Sequence, residues 1–358
     1  MMITDREALE ELAQRLEQAP AIALDTEFLR ERTYRAELCL LQIADAQGAL
    51  CVDPLAVPDL TPLRAALGSA ATEKVMHACR QDIEVLLPAA GLVMPVFDTQ
   101  IAAALTGMPA QIGYAELVRR VTGRELSKAH TRTDWSRRPL SGEQLDYALD
   151  DVRYLLPVRA HLVAELTRLG RMSWLAQELA ALQDPGDYSV DPEQAWQRVR
   201  SLKGLDADRA RLAQSLAAWR ERRADERNRP RGWILDDAVL RDIVIRVPRT
   251  LEELAGLADM QPGFVKHNGS EILGLIAAAA MPTVLPRVNP RGAPDPQKTA
   301  LVKKLSTVHQ SVATELNLSP EILATRRDLE QLADGRQDGA VLSGWRREVI
   351  GERLLAAL

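Results

Sequence analysis

The sequence has 358 residues, of which 46% are hydrophobic and 27% are charged. These values exclude a disordered chain, a collagen-like repeat and a coiled-coil rod, and they predict two or three globular domains. The net charge of −5 argues against a protein that coats nucleic acid through bulk charge. Three cysteines are too few for a disulfide framework, and neither a secretory signal nor a bilayer-spanning apolar run is visible. We therefore expect a cytoplasmic protein that does not bind membranes.

Strands and helices alternate over about the first 180 residues. The hydrophobic pattern predicts strands at 21–24, 39–44, 49–52 and 74–78, and helices at 5–18, 60–67, 81–88, 99–106, 113–122 and 141–169. The last of these helices starts with a capping box, with Ser141 at the N-cap and Gln144 three residues later. This order of elements predicts an α/β domain that ends near residue 180.

The remainder of the chain reads as helical. A cluster of helix-breaking residues at 183–187 marks a boundary, and five prolines between residues 282 and 296 predict an extended linker. We expect an α/β domain at 1–182, a connector at 183–205, a helical domain at 206–283, the linker at 284–296 and a last helical domain at 297–358. Because of the prolines, we expect the last domain to move relative to the rest.

Asp25 and Glu27 follow the first long strand at alternate positions. Alternate residues of a strand project from the same face, so the two carboxylates lie side by side and repel each other. One interpretation is a strand-end turn with solvated acids. The other is a site for a divalent cation, for which oxygen ligands of this kind favour Mg²⁺ or Mn²⁺ over zinc.

Three further positions carry chemistry that alone would be ambiguous. Asp82 lies in the first turn of a helix, where an acid also stabilises the helix dipole. Tyr147 and Asp151 are four residues apart on one helix and therefore share a face. Asp150 is nearly as well placed, and helix phase does not choose between the two aspartates. We interpret His77 as a structural histidine at a strand end.

The order of these residues resembles the tyrosine-bearing branch of the DEDD superfamily of 3′→5′ exonucleases. The segments around Leu24–Phe28, His77–Asp82, Phe97–Gln100 and Arg132–Leu140 are similar to the ribonuclease D family. The segments at 216–221, 230–237, 251–254 and 269–272 resemble its HRDC module, and 343–348 resembles its second, more divergent one. The resemblance implies an α/β ribonuclease H-like exonuclease domain, a mixed sheet flanked by helices, followed by two small all-α helical bundle domains.

The resemblance also implies the roles of the site residues. It makes Asp25, Glu27, Asp82 and Asp151 the metal ligands and Tyr147 a catalytic residue, and its spacing selects Asp151 over Asp150. Two divalent ions, typically about 3.5–4 Å apart, then activate a water molecule and stabilise the leaving 3′-oxygen. With a free pKa near 10, Tyr147 is a poor base at pH 7 and is expected to position water or phosphate.

RNA contacts are expected at two places beside this site. Thr26 and Phe28 flank the first acids, and Lys128, Arg132, Trp135 and Arg138 lie just before the Tyr147 helix. The second group is either a basic loop that grips the incoming 3′ strand or a surface loop with one buried tryptophan. A local excess of positive charge between residues 198 and 231 is expected to hold the body of the RNA.

The sequence thus predicts a metal-dependent 3′→5′ exoribonuclease that matures tRNA precursors with 3′ trailers and other structured RNAs as a monomer. Two alternatives stay open at this point: a 3′→5′ DNA exonuclease in repair, and an RNA-binding adaptor on a nuclease scaffold. We also expect a chain shortened to end near Gln183 to keep hydrolysing short RNA, since it retains every predicted catalytic residue.

Overall fold

A computed structural model describes residues 2–127, 133–202, 205–279 and 295–358. The chain divides into two compact units. The first consists of Met1–Leu29, Leu38–Tyr188 and Ala293–Leu358, and the second of Arg30–Glu37 and Ser189–Gly292. Within the described ranges, no helix combines the length and apolar character needed to cross a membrane.

A six-stranded mixed sheet forms the centre of the first unit. Its strand order is β1-β4-β3-β2-β5-β6. The β1–β4, β2–β5 and β5–β6 pairs are parallel, whereas β3 and β4 are antiparallel. This confirms the predicted mixed sheet. The strands are β1 (Met2–Ile3), β2 (Ala21–Leu29), β3 (Glu37–Asp45), β4 (Gly48–Val52), β5 (Glu73–Met76) and β6 (Val96–Asp98).

Among the described residues up to Ala180, eight α-helices accompany the sheet. They are α1 (Arg6–Glu17), α2 (Arg64–Gly68), α3 (Arg80–Ala90), α4 (Thr99–Leu105), α5 (Tyr114–Thr122), α6 (Gly142–Arg153), α7 (Leu155–Arg168) and α8 (Met172–Ala180). The single helix predicted over 141–169 is wrong, because the chain breaks at Tyr154. Pro157 accounts for the break, since it lacks an N–H and its ring would clash with the carbonyl four residues earlier.

The predicted cap of α6 is present, and a second cap begins α4. Ser141 and Gln144 form the capping box at the start of α6. Asp98 caps α4 through the amides of Gln100 and Ile101. The same carboxylate also accepts from the amides of Ala78 and Cys79, at 3.1 and 2.9 Å. Asp98 therefore fastens the turn from which α3, and with it Asp82, begins.

The second unit is helical and is built around its own hydrophobic core. Leu216 and Trp219 of the central helix contribute to that core with Ile243 and Ile272. Residues 30–37 belong to this unit, where the Tyr34 hydroxyl donates to Glu221 Oε1 at 2.5 Å. No pattern in the sequence predicted the position of that loop. The helices are α9 (Ala207–Glu226), α10 (Arg231–Ile234), α11 (Asp237–Arg246), α12 (Leu251–Ala255) and α13 (Pro262–Ala278).

The C-terminal segment, residues 295–358, belongs to the first unit and does not form a separate body. Leu305 and Trp345 share one hydrophobic core with Leu166 and Leu175 of α7 and α8. This packing argues against the expected movement of the last domain relative to the rest. Residues 280–294, most of the predicted linker, lie outside the described residues. The segment contains α14 (Pro296–Leu316), α15 (Pro320–Leu323), α16 (Arg326–Ala333), α17 (Gly344–Arg346) and α18 (Glu352–Leu355).

Trp345 provides the physical reason for this packing. Its ring stacks on Trp174 of α8 with centroids 4.5 Å apart, and its Nε1 donates to Glu178 Oε1 at 2.7 Å. Arg346 pairs with the same carboxylate, and its guanidinium lies 4.6 Å from the Trp345 ring centroid. Trp345 is 3% exposed, so its apolar ring is buried while its N–H has a hydrogen-bond acceptor. The Glu178 carboxylate that accepts this bond is neutralised by Arg346.

We expect the variant Trp345→Ala to lower the free energy of unfolding by about 3–5 kcal/mol, as is typical of removing a buried aromatic side chain. Chemical denaturation of the full chain, followed by circular dichroism, measures this. Arg326→Ala is the control: its ion pair with Glu330 is on the surface, where such pairs contribute about 0–1 kcal/mol. Equal stability losses in the two variants would contradict the docking described here.

Candidate active site

Three of the predicted metal ligands converge in the first unit. Carboxylate oxygens of Asp25, Glu27 and Asp151 all lie within 4.8 Å of one another. Asp25 and Glu27 are alternate residues of β2 and project from the same face, while α6 presents Asp151 to them. Because β2 extends to Leu29, the two acids lie inside the strand and not at a turn after it. The interpretation as a solvated strand-end turn is therefore wrong.

Asp82, the fourth predicted ligand, lies close to this group but outside that 4.8 Å limit. It is 8% exposed, and its Oδ1 accepts a hydrogen bond of 2.5 Å from the Thr26 hydroxyl. Thr26, which lies between the two acids of β2, is itself 6% exposed. Its side chain is therefore committed to orienting Asp82, and the RNA contact predicted for it gains no support from this geometry.

The acids strongly oppose one another's ionisation. Burial, and then the charges of Asp82, Asp151 and Glu27, raise the pKa of Asp25 well above its ordinary value. Burial and the charge of Asp151 raise the pKa of Glu27 to about 8. Burial raises the pKa of Asp151 to about 7 and that of Asp82 to about 6. At neutral pH the protein therefore holds a group of carboxylates that gains from a nearby positive charge.

The donor set fits a divalent metal ion. All the converging ligands are carboxylate oxygens, the type that hard cations such as Mg²⁺ and Mn²⁺ bind, and neither His nor Cys takes part in the group. A bound cation also removes the electrostatic cause of the raised pKa values. The fold and this acidic group together imply divalent metal ions as the cofactor.

Tyr147 lies beside the acids on the same helix as Asp151. Burial, and then the charge of Asp151, raise the pKa of its phenol to about 12. The hydroxyl therefore keeps its proton at neutral pH and is able to donate a hydrogen bond. Trp135 stacks against the Tyr147 ring, with centroids 6.3 Å apart and planes 24° from parallel.

The segment before α6 is held by an ion pair that sequence reasoning missed. Arg138 donates two hydrogen bonds of 2.7 Å to the Asp53 carboxylate, and others to the carbonyls of Cys39 and Trp135. Trp135 itself is 5% exposed. Both side chains are thus committed to the protein's own packing, which argues against the direct RNA contacts predicted for them. Asp53 and Arg138 are far apart in sequence, so no local pattern could reveal the pair.

The structure does not place the remaining candidate residues among the converging carboxylates. Lys128 and Arg132 lie outside the described residues, and Phe28 is partly buried. Asp150 pairs with Arg153 at 2.7 Å and is not one of the converging carboxylates. His77 places Nε2 3.0 Å from the Ile112 carbonyl and Nδ1 2.9 Å from the Thr99 hydroxyl. That arrangement agrees with the structural role predicted for His77.

Known proteins share this fold. A 3′-5′ exonuclease family matches residues 1–167, and the HRDC domain family matches residues 209–276. The sequence is 39% identical to ribonuclease D of Nitrobacter hamburgensis over 99% of this chain and 94% of that protein. The crystal structure of Escherichia coli RNase D superposes with a TM-score of 0.88 at 34% identity, covering 100% of this chain and 98% of that one. The catalytic core of RRP6 from Trypanosoma brucei gives a TM-score of 0.58 at 25% identity, with 78% and 79% covered.

Fold, acidic group and family matches define the chain as a 3′→5′ exonuclease with an HRDC domain. With relatives of this identity over nearly its whole length, it belongs to the ribonuclease D family. The protein is accordingly a 3′→5′ exoribonuclease, and RNA is its substrate. This confirms the resemblance, the fold class and the activity predicted from the sequence.

We expect the stability of the metal-free protein to fall as pH rises from about 4 to about 8. In that range the folded protein binds more protons than the unfolded chain, because the pKa values of Glu27 and Asp151 are raised to about 8 and 7. Mg²⁺ relieves the repulsion, so the rise in Tm that it causes is expected to be larger at pH 8 than at pH 6. Thermal unfolding with Mg²⁺ and with EDTA measures this.

Two matched variants sharpen that measurement. Asp25→Asn removes one charge from the acidic group and should raise the Tm of the metal-free protein at pH 8 while weakening its response to Mg²⁺. Asp150→Asn removes the same charge outside the group and should keep the wild-type response. An identical Mg²⁺ response in wild type and Asp25→Asn would place the cation elsewhere.

Proposed function

We propose that this exoribonuclease trims extra nucleotides from the 3′ ends of structured RNAs, chiefly tRNA precursors with 3′ trailers, and that it acts as a monomer. The observation that carries the catalytic part is the convergence of Asp25, Glu27 and Asp151 within a 3′-5′ exonuclease fold. The similar E. coli RNase D is described as an exoribonuclease involved in structured RNA processing, which supports this substrate class. The cytoplasmic location stays a prediction.

In this proposal Asp25, Glu27, Asp82 and Asp151 hold two divalent ions, Mg²⁺ or Mn²⁺. When bound, such ions lower the pKa of the attacking water and offset the charge that develops on the phosphate and the leaving oxygen. Thr26 keeps the Asp82 carboxylate in one orientation through their 2.5 Å hydrogen bond. We expect all four acids, which come from β2, α3 and α6, to share these ions.

The reaction is hydrolysis of the last phosphodiester. The oxygen of a water molecule bonds to phosphorus, the bond between phosphorus and the 3′-oxygen breaks, and that oxygen takes up a proton. The products are a 5′-nucleoside monophosphate and an RNA shorter by one nucleotide. Tyr147, protonated because its pKa is raised to about 12, donates a hydrogen bond that orients the water or a phosphate oxygen. Trp135 fixes the plane of the Tyr147 ring.

Asp25→Asn or Asp151→Asn should lower kcat by more than about 100-fold, beyond the 10–100-fold typical of changes to outer-shell residues. RNA affinity measured in EDTA should stay near wild type, because these acids bind cations and not RNA. Asp150→Asn is the control and should keep near-wild-type turnover, since its carboxylate pairs with Arg153. An equal loss in Asp150→Asn would mean that the wrong aspartate was chosen. Matched RNA and DNA oligonucleotides in the same assay test the alternative of a DNA exonuclease.

The basic stretch at 198–231 is less available than its charge count indicates. Six of its described arginines form ion pairs within the second unit, either with an acid one helical turn away or with an acid farther along the sequence. These arginines are Arg209, Arg211, Arg220, Arg222, Arg223 and Arg231. Among the described residues, Arg198, Arg200, Arg227 and Arg229 have no ion pair. The positive charge available to RNA phosphates is therefore concentrated at these four positions.

We expect the double variant Arg198→Ala/Arg200→Ala to flatten the salt dependence of tRNA-precursor binding. Each lost phosphate contact should lower the log–log slope by about 0.7–0.9 units, depending on whether the strand is single or paired. Titrations in EDTA at several salt concentrations measure this. Arg246→Ala, an exposed arginine of α11 without an ion pair among the described residues, is the control for charge alone. An unchanged slope in the double variant would remove these residues from the interface.

A further inference from the structure

Trp233 in the second unit is an exposed aromatic side chain that the catalytic site does not use. It is 59% exposed, more than any other large apolar side chain among the described residues. The Arg229 guanidinium lies 5.9 Å from its ring centroid. A single exposed aromatic is ordinary, so the surroundings decide what it means.

Those surroundings form a cavity of about 630 Å³, within the range of small-molecule and nucleotide sites. Its lining combines Trp233 with the apolar side chains of Leu235, Met260 and Phe264. Phe264 in turn packs edge-on against the buried Trp219, with ring centroids 5.9 Å apart. The wall behind the cavity is therefore rigid, while the Trp233 ring stands open to solvent.

The charges around the cavity favour a polyanion. Arg227 lines it and has no ion pair among the described residues, and Arg229 lies over Trp233. Two acids, Asp236 and Asp259, also line it. Asp236 is already used, because its Oδ1 caps α11 by accepting from the Ala238 amide at 2.7 Å. Arg227 and Arg229 therefore offer guanidinium N–H groups that no ion pair among the described residues uses.

A second cavity adjoins the first, since Asp236 lines both. It measures about 740 Å³ and carries Arg198, Arg200 and Arg241. The acids Asp237 and Asp242 lie there too, and Asp237 is held by the buried Arg220 at 2.7 Å. Arginines without ion pairs therefore lie on both sides of Asp236, with an aromatic platform on one of them.

We propose that Trp233 and its cavity form a subsite for an unpaired nucleobase of the RNA substrate, with Arg227 and Arg229 contacting the adjoining phosphates. Aromatic stacking between cations is the arrangement that binds single-stranded nucleic acid, because every base has a π-face and every linkage a charge. The proposal rests on the RNA substrate and adds a binding site in the second unit. A second copy of this chain is the alternative occupant, and its binding would appear as a change of oligomeric state.

The test measures binding of the full chain in EDTA, which prevents hydrolysis, to a fluorescein-labelled single-stranded oligoadenylate. Stacking contributes about 1–3 kcal/mol per base, so Trp233→Ala should weaken binding at least about 5-fold. Trp233→Phe should restore most of the affinity, because it keeps a π-face. With an abasic oligonucleotide of the same length, wild type and Trp233→Ala should bind equally.

Controls separate this proposal from the exonuclease activity. Leu251→Ala shortens another exposed apolar side chain of the same unit, 41% exposed, and should leave affinity unchanged. Hydrolysis of a trinucleotide with Mg²⁺ should stay at the wild-type rate in Trp233→Ala, which shows that the catalytic site is intact. Wild-type affinity of Trp233→Ala for oligoadenylate would overturn the proposal. So would an equal loss on the abasic strand, or a change of oligomeric state in ultracentrifugation.

Discussion

Mutual repulsion among buried carboxylates is the constraint on which the catalytic half of this protein depends. Asp25, Glu27 and Asp151 approach within 4.8 Å, and burial together with their neighbours' charges raises their pKa values. Without a bound cation, this group of carboxylates destabilises the folded protein. The β2 pleat, the phase of α6 and the Thr26 hydroxyl hold it in place at a cost in stability, a trade that functional sites commonly make.

The support for this site extends outward in identifiable steps. Tyr147 is positioned by Trp135, and the Trp135 carbonyl by Arg138, which is in turn fixed by Asp53 at the end of β4. On the other side, Asp98 caps α4 and simultaneously holds the turn that starts α3. Charged and aromatic residues outside the acidic group therefore hold the ring of Tyr147 and the start of α3.

The sequence predicted most of the site because its determinants are local. Asp25 and Glu27 are alternate residues of one strand, and Tyr147 and Asp151 lie one helical turn apart on one helix. It could not choose between Asp150 and Asp151, since that depends on which face of α6 meets β2. Pairings over long sequence distances were also missed: Arg138 with Asp53, Arg222 with Glu193, and Trp345 with Trp174. Pro157 is a local signal for the helix break at Tyr154, and the predicted helix over 141–169 did not take it into account.

The first unit is formed by segments that precede and follow most of the second unit in the sequence. Its core includes Leu305 and Trp345 from the C-terminal segment. A chain shortened to end near Gln183 therefore loses part of the nuclease core, so the catalytic residues cannot be separated from the rest by simple truncation. Protein synthesis is subject to the same geometry. At about 5–20 residues per second, the ribosome needs on the order of 10–30 s to extend the chain from Tyr188 to its end. During that interval the second unit can fold, whereas the first unit still lacks the helices of residues 295–358.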